Sequence, residues 1–173
     1  LLLNLPGVAT YGARLANEAT ITPETLREQL IGWADKIVHE FAGRPGILGT
    51  QIAFAKQTIR GGAKEIYVTG LDGVEERAVT SNGNLNLLPS WGPMGVHVAY
   101  TSYQDRNPDL FIAGKKFSGH PNLNMGAEWS PDGSEVALSL SKDGNNEIYV
   151  LDGETGEVKR RLTNHLSIDS SPS

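Results

Sequence analysis

The sequence has no cysteine among its 173 residues. This absence excludes a disulfide framework, a thiolate metal site and a cysteine nucleophile, although it is compatible with a reducing or an oxidising compartment. Runs of like charge are also missing, and the formal net charge is -5 at pH 7. A nucleic-acid-binding stripe or a polybasic membrane patch would need clustered lysine and arginine. The sequence therefore predicts no nucleic-acid partner.

Recognisable catalytic motifs are equally scarce. No G-x-S-x-G nucleophile elbow is present, and the glycine pair at residues 61–62 lacks the surroundings of a phosphate-binding loop. The histidines show no metal-ligand spacing; they are His39, His97, His120 and His165. We therefore predict a protein that is not an enzyme and that uses no cofactor, metal or small-molecule substrate.

The opening run of leucines, residues 1–5, ends at Pro6 and Gly7. It is too short for a signal sequence or a membrane span, and no initiator methionine precedes it. We therefore interpret the chain as part of a longer protein. The apolar fraction of 39% is typical of a globular domain with a hydrophobic core.

An internal repeat organises most of the chain. Residues 123–133 match residues 85–95, so that Trp91 and Trp129 lie about 38 residues apart. Further segments continue the repeat: residues 105–112 match 143–150, residues 65–68 match 147–150, and residues 168–173 match 85–90. A repeat of this length means that one supersecondary unit occurs several times.

Each unit predicts short β-strands joined by hairpins. In residues 135–140, the apolar Val136, Leu138 and Leu140 alternate with smaller side chains, which is the period of two that a strand requires. Residues 130–133 read Ser-Pro-Asp-Gly, a turn in which proline fixes φ and glycine takes positive φ. Four such strands in about 40 residues are typical of a β-propeller blade. The predicted blades are residues 47–82, 83–120 and 121–165, with the start of a fourth after them.

Residues 1–46 have a different pattern. Thr22 predicts a helix cap, with Pro23 at the first helical position and Gly43 at the end. Apolar residues form one stripe at helical spacing: Leu26, Leu30, Trp33, Ile37, Val38 and Phe41. We interpret this stripe as a core face rather than a partner-binding face. With one or two strands expected before the helix, residues 1–46 are predicted to be the C-terminal part of a small α/β domain.

The order of these features resembles the TolB family of the bacterial Tol-Pal envelope system. The resemblance depends on the helix and the blade segments: residues 26–41, 43–54, 65–68, 71–73, 91, 99–102 and 129–133. The family's propeller has six blades, whereas this chain would hold about three. The resemblance therefore implies a truncated β-propeller preceded by part of an α/β domain.

The resemblance also implies a non-enzymatic, protein-binding function in the periplasm. In the family, the propeller binds the peptidoglycan-associated lipoprotein Pal, and the N-terminal domain communicates with inner-membrane Tol proteins. The system supports outer-membrane integrity, cell division and the import of some bacteriocins. One alternative stays open: similar blades form the lid of prolyl-oligopeptidase-like serine peptidases, whose catalytic domain would be absent from this chain.

The connections between repeats are the predicted partner-binding site. In a propeller they all emerge at one end, and the resemblance places Pal there. The predicted contact residues are Asn86, Leu87 and Leu88, then His120, Asn124, Met125 and Gly126, then His165, Asp169, Ser170 and Ser171. Asparagine and aspartate would offer polar contacts, and Leu87 and Met125 would be apolar anchors. Plain turn chemistry is the alternative for these segments.

Two further patterns have competing interpretations. Residues 105–109 and 143–147 have the D-x-N-x-[DE] spacing of a calcium loop. An apolar residue stands where an EF-hand needs glycine, so turns between strands are predicted instead. Trp91 and Trp129 are interpreted as blade core rather than as ligand-stacking residues, because they occupy equivalent repeat positions.

Overall fold

The computed structural model describes residues 2–3, 11–12 and 22–173. The chain divides into two compact units, Leu1–Gln51 with Gly70–Val74, and Ile52–Thr69 with Glu75–Ser173. The first unit begins with a two-stranded antiparallel sheet of β1 (Leu2–Leu3) and β2 (Tyr11–Gly12). These strands confirm the prediction that strands precede the helix. The rest of residues 1–21 lies outside the described part of the chain.

Helix α1 (Pro23–Ala42) forms where the sequence predicts it. The Thr25 amide donates to the Thr22 hydroxyl at 3.2 Å, and the Thr22 amide donates to the Thr25 hydroxyl at 2.9 Å. These reciprocal bonds satisfy amides at the helix start that have no partner within the helix. At the other end, Gly43 has a φ of 65°, a left-handed conformation that glycine adopts without a steric clash.

The apolar stripe of α1 differs from the prediction. No residue of the helix is buried, and Phe41 exposes 54% of its surface. The helix also makes polar contacts within its unit, because Arg27 forms two hydrogen bonds with Asp72, at 2.7 and 2.8 Å. These bonds lower the pKa of Asp72 to about 2. The interpretation of the stripe as a core face is not confirmed.

The segment after α1 is fixed by Asp35. Its carboxylate accepts hydrogen bonds from the amides of Leu48 and Gly49, at 3.0 and 3.2 Å, and the Thr50 amide donates to the Ile47 carbonyl. Because these amides are used locally, they cannot pair with a neighbouring strand. The sheet that follows has three strands rather than the predicted four: β3 (Gln51–Gln57), β4 (Lys64–Gly70) and β5 (Arg77–Ala78).

Two four-stranded antiparallel sheets follow and confirm the strand count that the repeat predicts. The first contains β6 (Asn86–Trp91), β7 (Val98–Ser102), β8 (Asp109–Ile112) and β9 (Lys115–Ser118). The second contains β10 (Asn124–Trp129), β11 (Glu135–Leu140), β12 (Glu147–Asp152) and β13 (Val158–Arg161). In both sheets, neighbouring strands follow one another in sequence, as in a propeller blade.

The first strand of each four-stranded sheet is irregular at the same repeat position. The register of β6 against β7 shifts between Leu87 and Ser90, and that of β10 against β11 shifts between Met125 and Glu128. A β-bulge inserts an extra residue into one strand and bends it. The repeat therefore holds in the backbone as well as in the sequence.

Among the residues that the structure describes, apolar side chains form two hydrophobic clusters. One contains buried residues of the two four-stranded sheets: Ala99, Leu110, Ala127, Val136, Leu138, Leu140, Tyr149 and Leu151. The other contains residues of β4, β7 and β8: Ile66, Val68, Val98, Tyr100 and Phe111. Trp129 packs against the first cluster and Trp91 against the second. This packing supports the interpretation of both tryptophans as blade core.

Cations on the outermost strands pair with acidic residues of the same sheet. On β9, Lys116 contacts the carboxylates of Asp105 and Asp109, each at 2.7 Å. On β13, Arg160 forms two hydrogen bonds with Glu135, at 2.7 and 2.8 Å. Lysine and arginine on an edge strand hinder its pairing with another chain. These residues therefore protect the open edges of both sheets.

Candidate functional site

The predicted partner-binding residues lie where three segments leave the outer strands of the sheets. We call this surface the connection face; it comprises residues 80–89, 118–127 and 163–172. The antiparallel strand order places the turn between β7 and β8 at this end, and the turn between β6 and β7 at the opposite end. The connection face is thus supported by regular strands, which is a common arrangement for binding loops.

The third connection is held by a buried carboxylate. Glu147, at the start of β12, accepts hydrogen bonds from the Thr163 hydroxyl at 2.6 Å and from the His165 amide at 2.8 Å. A nitrogen of Arg161 lies 3.0 Å from the same carboxylate. A buried charge is tolerated when it is paired and hydrogen-bonded in this way. Glu147 therefore fixes the path of the chain as it leaves β13.

Glu65 repeats this arrangement near the start of β4. Its carboxylate accepts hydrogen bonds from the Thr80 hydroxyl at 2.5 Å and from the Gly83 amide at 2.7 Å. The side-chain amide of Asn86 donates to the same carboxylate at 3.0 Å. The first connection is thus fixed by internal bonds, which reduces the entropy that it would lose on binding a partner.

Asn86 and Asn124 are fully buried, which corrects their predicted role as polar contacts. The Asn124 amide donates to the carbonyl oxygens of Pro108 and His120, and its oxygen accepts from the His120 amide at 3.0 Å. The Asn86 amide donates to the Lys64 carbonyl at 3.0 Å. Asparagine side chains commonly bond to the backbone of nearby turns. Both residues therefore support the connections from beneath, and their polar atoms are not open to a partner.

Three residues at the same repeat position have a left-handed backbone. Leu88, Gly126 and Ser171 have φ values of 51°, 68° and 59°. Glycine adopts such values freely, whereas other residues incur a steric cost of about 1 to 2 kcal/mol. A Cβ added at Gly126 would lie 4.0 Å from the Cα of Ser171, so the second and third connections come together here. The Ser90 hydroxyl lies 3.4 Å from the Glu128 carboxylate, so β6 and β10 are also neighbours.

The other predicted contact residues of the connection face are exposed or half-buried. Leu88, His165, Ser170 and Ser171 are exposed, whereas Leu87, His120, Met125, Gly126 and Asp169 are half-buried. The ring Nδ1 of His165 accepts a hydrogen bond from the Ser167 amide at 3.0 Å. This bond orients the imidazole within the third connection.

Residues 105–109 and 143–147 form turns between strands, as the sequence predicts, and their polar side chains form hydrogen bonds within the protein. Asn107 donates to Asp109 and to the His120 carbonyl, the latter at 3.0 Å, and Asn145 donates to the His165 carbonyl at 2.7 Å. Each turn is therefore tied to a connection. In the part of the chain that the structure describes, no group of three or more histidine or acidic residues could hold a metal ion.

Comparison with known proteins identifies the family. Residues 38–173, which include all strands from β3 to β13, match the family model of the TolB beta propeller domain. The chain belongs to this family. The resemblance inferred from the helix and the repeats is confirmed, and the antiparallel sheets are those of a TolB propeller-type fold.

Several TolB proteins are similar to this chain. The Tol-Pal system protein TolB of Desulfosudis oleivorans is 36% identical over 90 residues, which are 52% of this chain and 20% of that protein. The protein TolB homolog of Chlorobium chlorochromatii is 31% identical over 155 residues, 87% of this chain and 34% of that protein. The crystal structure of TolB from Acinetobacter baumannii matches 86% of this chain and 39% of its own, with 26% identity and a TM-score of 0.75.

The chain spans between a fifth and about two fifths of the length of these TolB relatives. Among the residues that the structure describes, no helix combines the length and the apolar character needed to cross a membrane.

The buried Glu147 of this TolB domain predicts a loss of stability in acid. Hydrogen bonds from Thr163 and His165, together with Arg161, lower the pKa of Glu147 from 4.5 to about 2. A carboxylate with a lowered pKa stabilises the fold fully above its unfolded value, and this contribution disappears as the pH falls through the folded value. We expect the urea midpoint of unfolding to fall between pH 4.5 and pH 2, and the fall to be smaller in Glu147→Gln. Circular dichroism at a series of pH values measures both.

The control for this prediction is Glu154→Gln, since Glu154 is exposed in the turn between β12 and β13. Its pH profile should match that of the unsubstituted chain. If Glu147→Gln also keeps the same profile, the carboxylate does not supply the acid-sensitive stability.

Sequence reasoning missed the residues that hold the connections of this TolB domain. Glu65 and Glu147 are predicted only as aligned repeat positions, and the sequence prediction gives no role to Thr80 or Thr163. A signal was present, because an acid recurs at the start of one strand and a hydroxyl recurs after the next strand. An acidic residue and a hydroxyl residue that recur on either side of one hairpin indicate a hydrogen bond between their side chains in each repeat.

Proposed function

We propose that this chain is part of a periplasmic, non-enzymatic TolB protein, and that its connection face binds the peptidoglycan-associated lipoprotein Pal. The proposal is supported by the family match and by relatives that are named Tol-Pal system protein TolB. Names of this kind favour a binding role over the peptidase-lid alternative. In such a system, the protein would contribute to outer-membrane integrity, cell division and bacteriocin import.

The proposed domain organisation follows the same resemblance. Residues 47–173 would form about three blades of a six-bladed propeller, at residues 47–82, 83–120 and 121–165, with the start of a fourth. Residues 1–46 would be the C-terminal part of an α/β domain, and this domain would contact the inner-membrane Tol proteins.

The main support for the binding face is Leu88. This residue exposes 48% of its surface and has a φ of 51°, whereas glycine occupies the equivalent position at Gly126. Exposed apolar surface and backbone strain both raise the free energy of the isolated chain. Strained residues cluster at functional sites. A protein partner that covers Leu88 would recover about 25 cal/mol for each Å² of apolar surface removed from water.

The exposure of other residues of the connection face is consistent with a protein interface. Leu87 and Met125 add half-buried apolar surface, while Asp169 and Ser170 add polar groups. An apolar centre with a polar rim is the usual composition of such interfaces, and a few central residues supply most of the binding energy. Leu88 is the candidate for that central position.

Leu88→Asn is expected to weaken Pal binding by at least about 1 kcal/mol, because it removes an apolar anchor. The stability should change little, since asparagine tolerates the left-handed backbone better than leucine does. Calorimetric titration with the lipid-free soluble form of Pal measures the affinity. Urea unfolding measures the stability of the same preparation.

Met94→Asn is a matched control. Met94 also combines a left-handed backbone, with a φ of 59°, and an exposed apolar side chain, but it lies in the turn after β6, at the opposite end of the sheet. Met94→Asn should therefore keep full Pal affinity. Equal losses in both variants would place the interface elsewhere, and full affinity in both would remove Leu88 from it. If the unsubstituted chain fails to bind Pal, the proposed function itself is wrong.

A further inference from the structure

We propose that Met94 is a site of reversible oxidation to methionine sulfoxide by peroxide or a related two-electron oxidant. Met94 exposes 98% of its surface. The chain has one other methionine, Met125, which is half-buried in β10. Methionine is a common target of oxidation, and the reaction requires access of the oxidant to the thioether sulfur. The two sulfurs therefore differ in solvent exposure, which controls their rates of oxidation.

The turn that carries Met94 keeps the side chain exposed. The Gly92 amide donates to the His97 carbonyl at 2.7 Å, which closes the base of the turn. Pro93 packs against the neighbouring turn, since a Cβ added at Gly133 would lie 2.7 Å from the Pro93 Cγ. With both flanks of the turn fixed, Met94 at its tip, with a φ of 59°, points away from the sheets. The exposure is thus a property of the folded turn.

The oxidation transfers one oxygen atom. The thioether sulfur of Met94 attacks one oxygen of hydrogen peroxide, so that an S–O bond forms as the O–O bond breaks. Sulfur loses two electrons, and the departing hydroxide takes the remaining hydroxyl proton to give water. The products are methionine sulfoxide and one molecule of water, and no other co-reactant is required.

The exposed position determines the consequences of this reaction. An oxidant can reach either lone pair of the Met94 sulfur, so both sulfoxide epimers should form. Each epimer is reduced by its own class of methionine sulfoxide reductase, and full repair therefore needs both classes. Because the side chain already lies in water, the polar sulfoxide should leave the fold intact. Oxidation of Met125 would instead place a polar group on a half-buried strand.

The test exposes the folded chain to less than one equivalent of hydrogen peroxide and measures both methionines by peptide mass spectrometry. Cleavage at Arg106 and Lys116 separates Met94 from Met125. We expect Met94 to oxidise roughly tenfold faster than Met125, an order-of-magnitude difference set by access to the sulfur. In urea, where both side chains are exposed, the two rates should become similar. The thermal midpoint of the Met94-oxidised chain should equal that of the untreated chain.

Met94→Leu provides the matched variant, because leucine keeps the size and apolar character but has no sulfur. Its remaining oxidation should be confined to Met125 and should be slow. Treatment of the oxidised chain with both classes of reductase should restore the original mass, whereas either class alone should restore only part. Equal rates for the two methionines in the folded chain would overturn the proposal. Faster oxidation of Met125, or unfolding on oxidation of Met94, would overturn it as well.

Discussion

Replacing Leu138 by alanine is expected to lower the free energy of unfolding by about 2 to 5 kcal/mol, the range for truncating a buried leucine. Leu138 lies in β11 and is fully buried in the cluster that the two four-stranded sheets share. The loss combines the missing transfer free energy of the side chain with the cavity that its neighbours cannot fill. Urea denaturation followed by circular dichroism measures the change, provided that the m value stays constant.

Leu166→Ala is the control for the core prediction. Leu166 is fully exposed in the third connection, so its truncation should change the stability by no more than about 0.5 kcal/mol. A loss for Leu138→Ala as small as that for Leu166→Ala would mean that Leu138 does not pack in the cluster that the two sheets share.

Asn124→Ala is expected to lower the stability by about 2 to 4 kcal/mol, because each buried donor left without an acceptor costs about 1 to 3 kcal/mol. The Asn124 side-chain oxygen accepts hydrogen bonds from the Ser118 hydroxyl at 2.9 Å and from the His120 amide at 3.0 Å. Asn86→Ala should have a similar effect, since Asn86 holds the equivalent position and is equally buried. The same urea measurement applies to both variants.

The control here is Asn164→Ala, in which an exposed asparagine that accepts one hydrogen bond from Arg161 is removed. Its effect should be within about 0.5 kcal/mol. The asparagine variants also test the corrected role of Asn86 and Asn124. Unchanged stability with weakened Pal binding would show that these side chains are contacts, as the sequence analysis predicted, rather than supports.

The architecture of the four-stranded sheets could be predicted because its signals are local and repeated. Trp91 and Trp129 recur at a fixed offset, and the alternation in residues 135–140 gives the strand period directly. Caps are equally local, so Thr22 and Gly43 located both ends of α1. The strand period and the helix caps each depend on residues within one strand or one turn, and the tryptophan offset depends only on sequence comparison.

The three-stranded sheet could not be predicted in the same way. The amides before β3 are taken by the carboxylate of Asp35, which lies in the middle of α1. Nothing in the composition of residues 43–50 reveals that a helix residue competes for these groups. Such competition depends on tertiary structure, which overrides local propensity.

The repeats locate the connection face in the sequence, but they do not reveal which of its residues are buried. Asparagine is common both in exposed turns and in buried turn supports, so residue type alone could not place Asn86 and Asn124 beneath the surface. The strain at Leu88 was equally hidden, because leucine gives no sign of a left-handed backbone. Gly126 was the sole hint at that repeat position, since glycine is the usual residue for positive φ.

Edge-to-edge association of two molecules through β9 or β13 would place a second strand beside the ion pairs of Lys116 and Arg160. Displacing Lys116 would leave the buried carboxylate of Asp109 without its cation, and an unpaired buried charge is strongly destabilising. The charges of Lys116 and Arg160 on these edge strands are largely neutralised within their own sheets. These two residues therefore add little attraction for anionic polymers. Solubility at high concentration then depends on the overall negative charge of the chain, and the chain should be most prone to precipitate near pH 5.3, the isoelectric point that its composition gives.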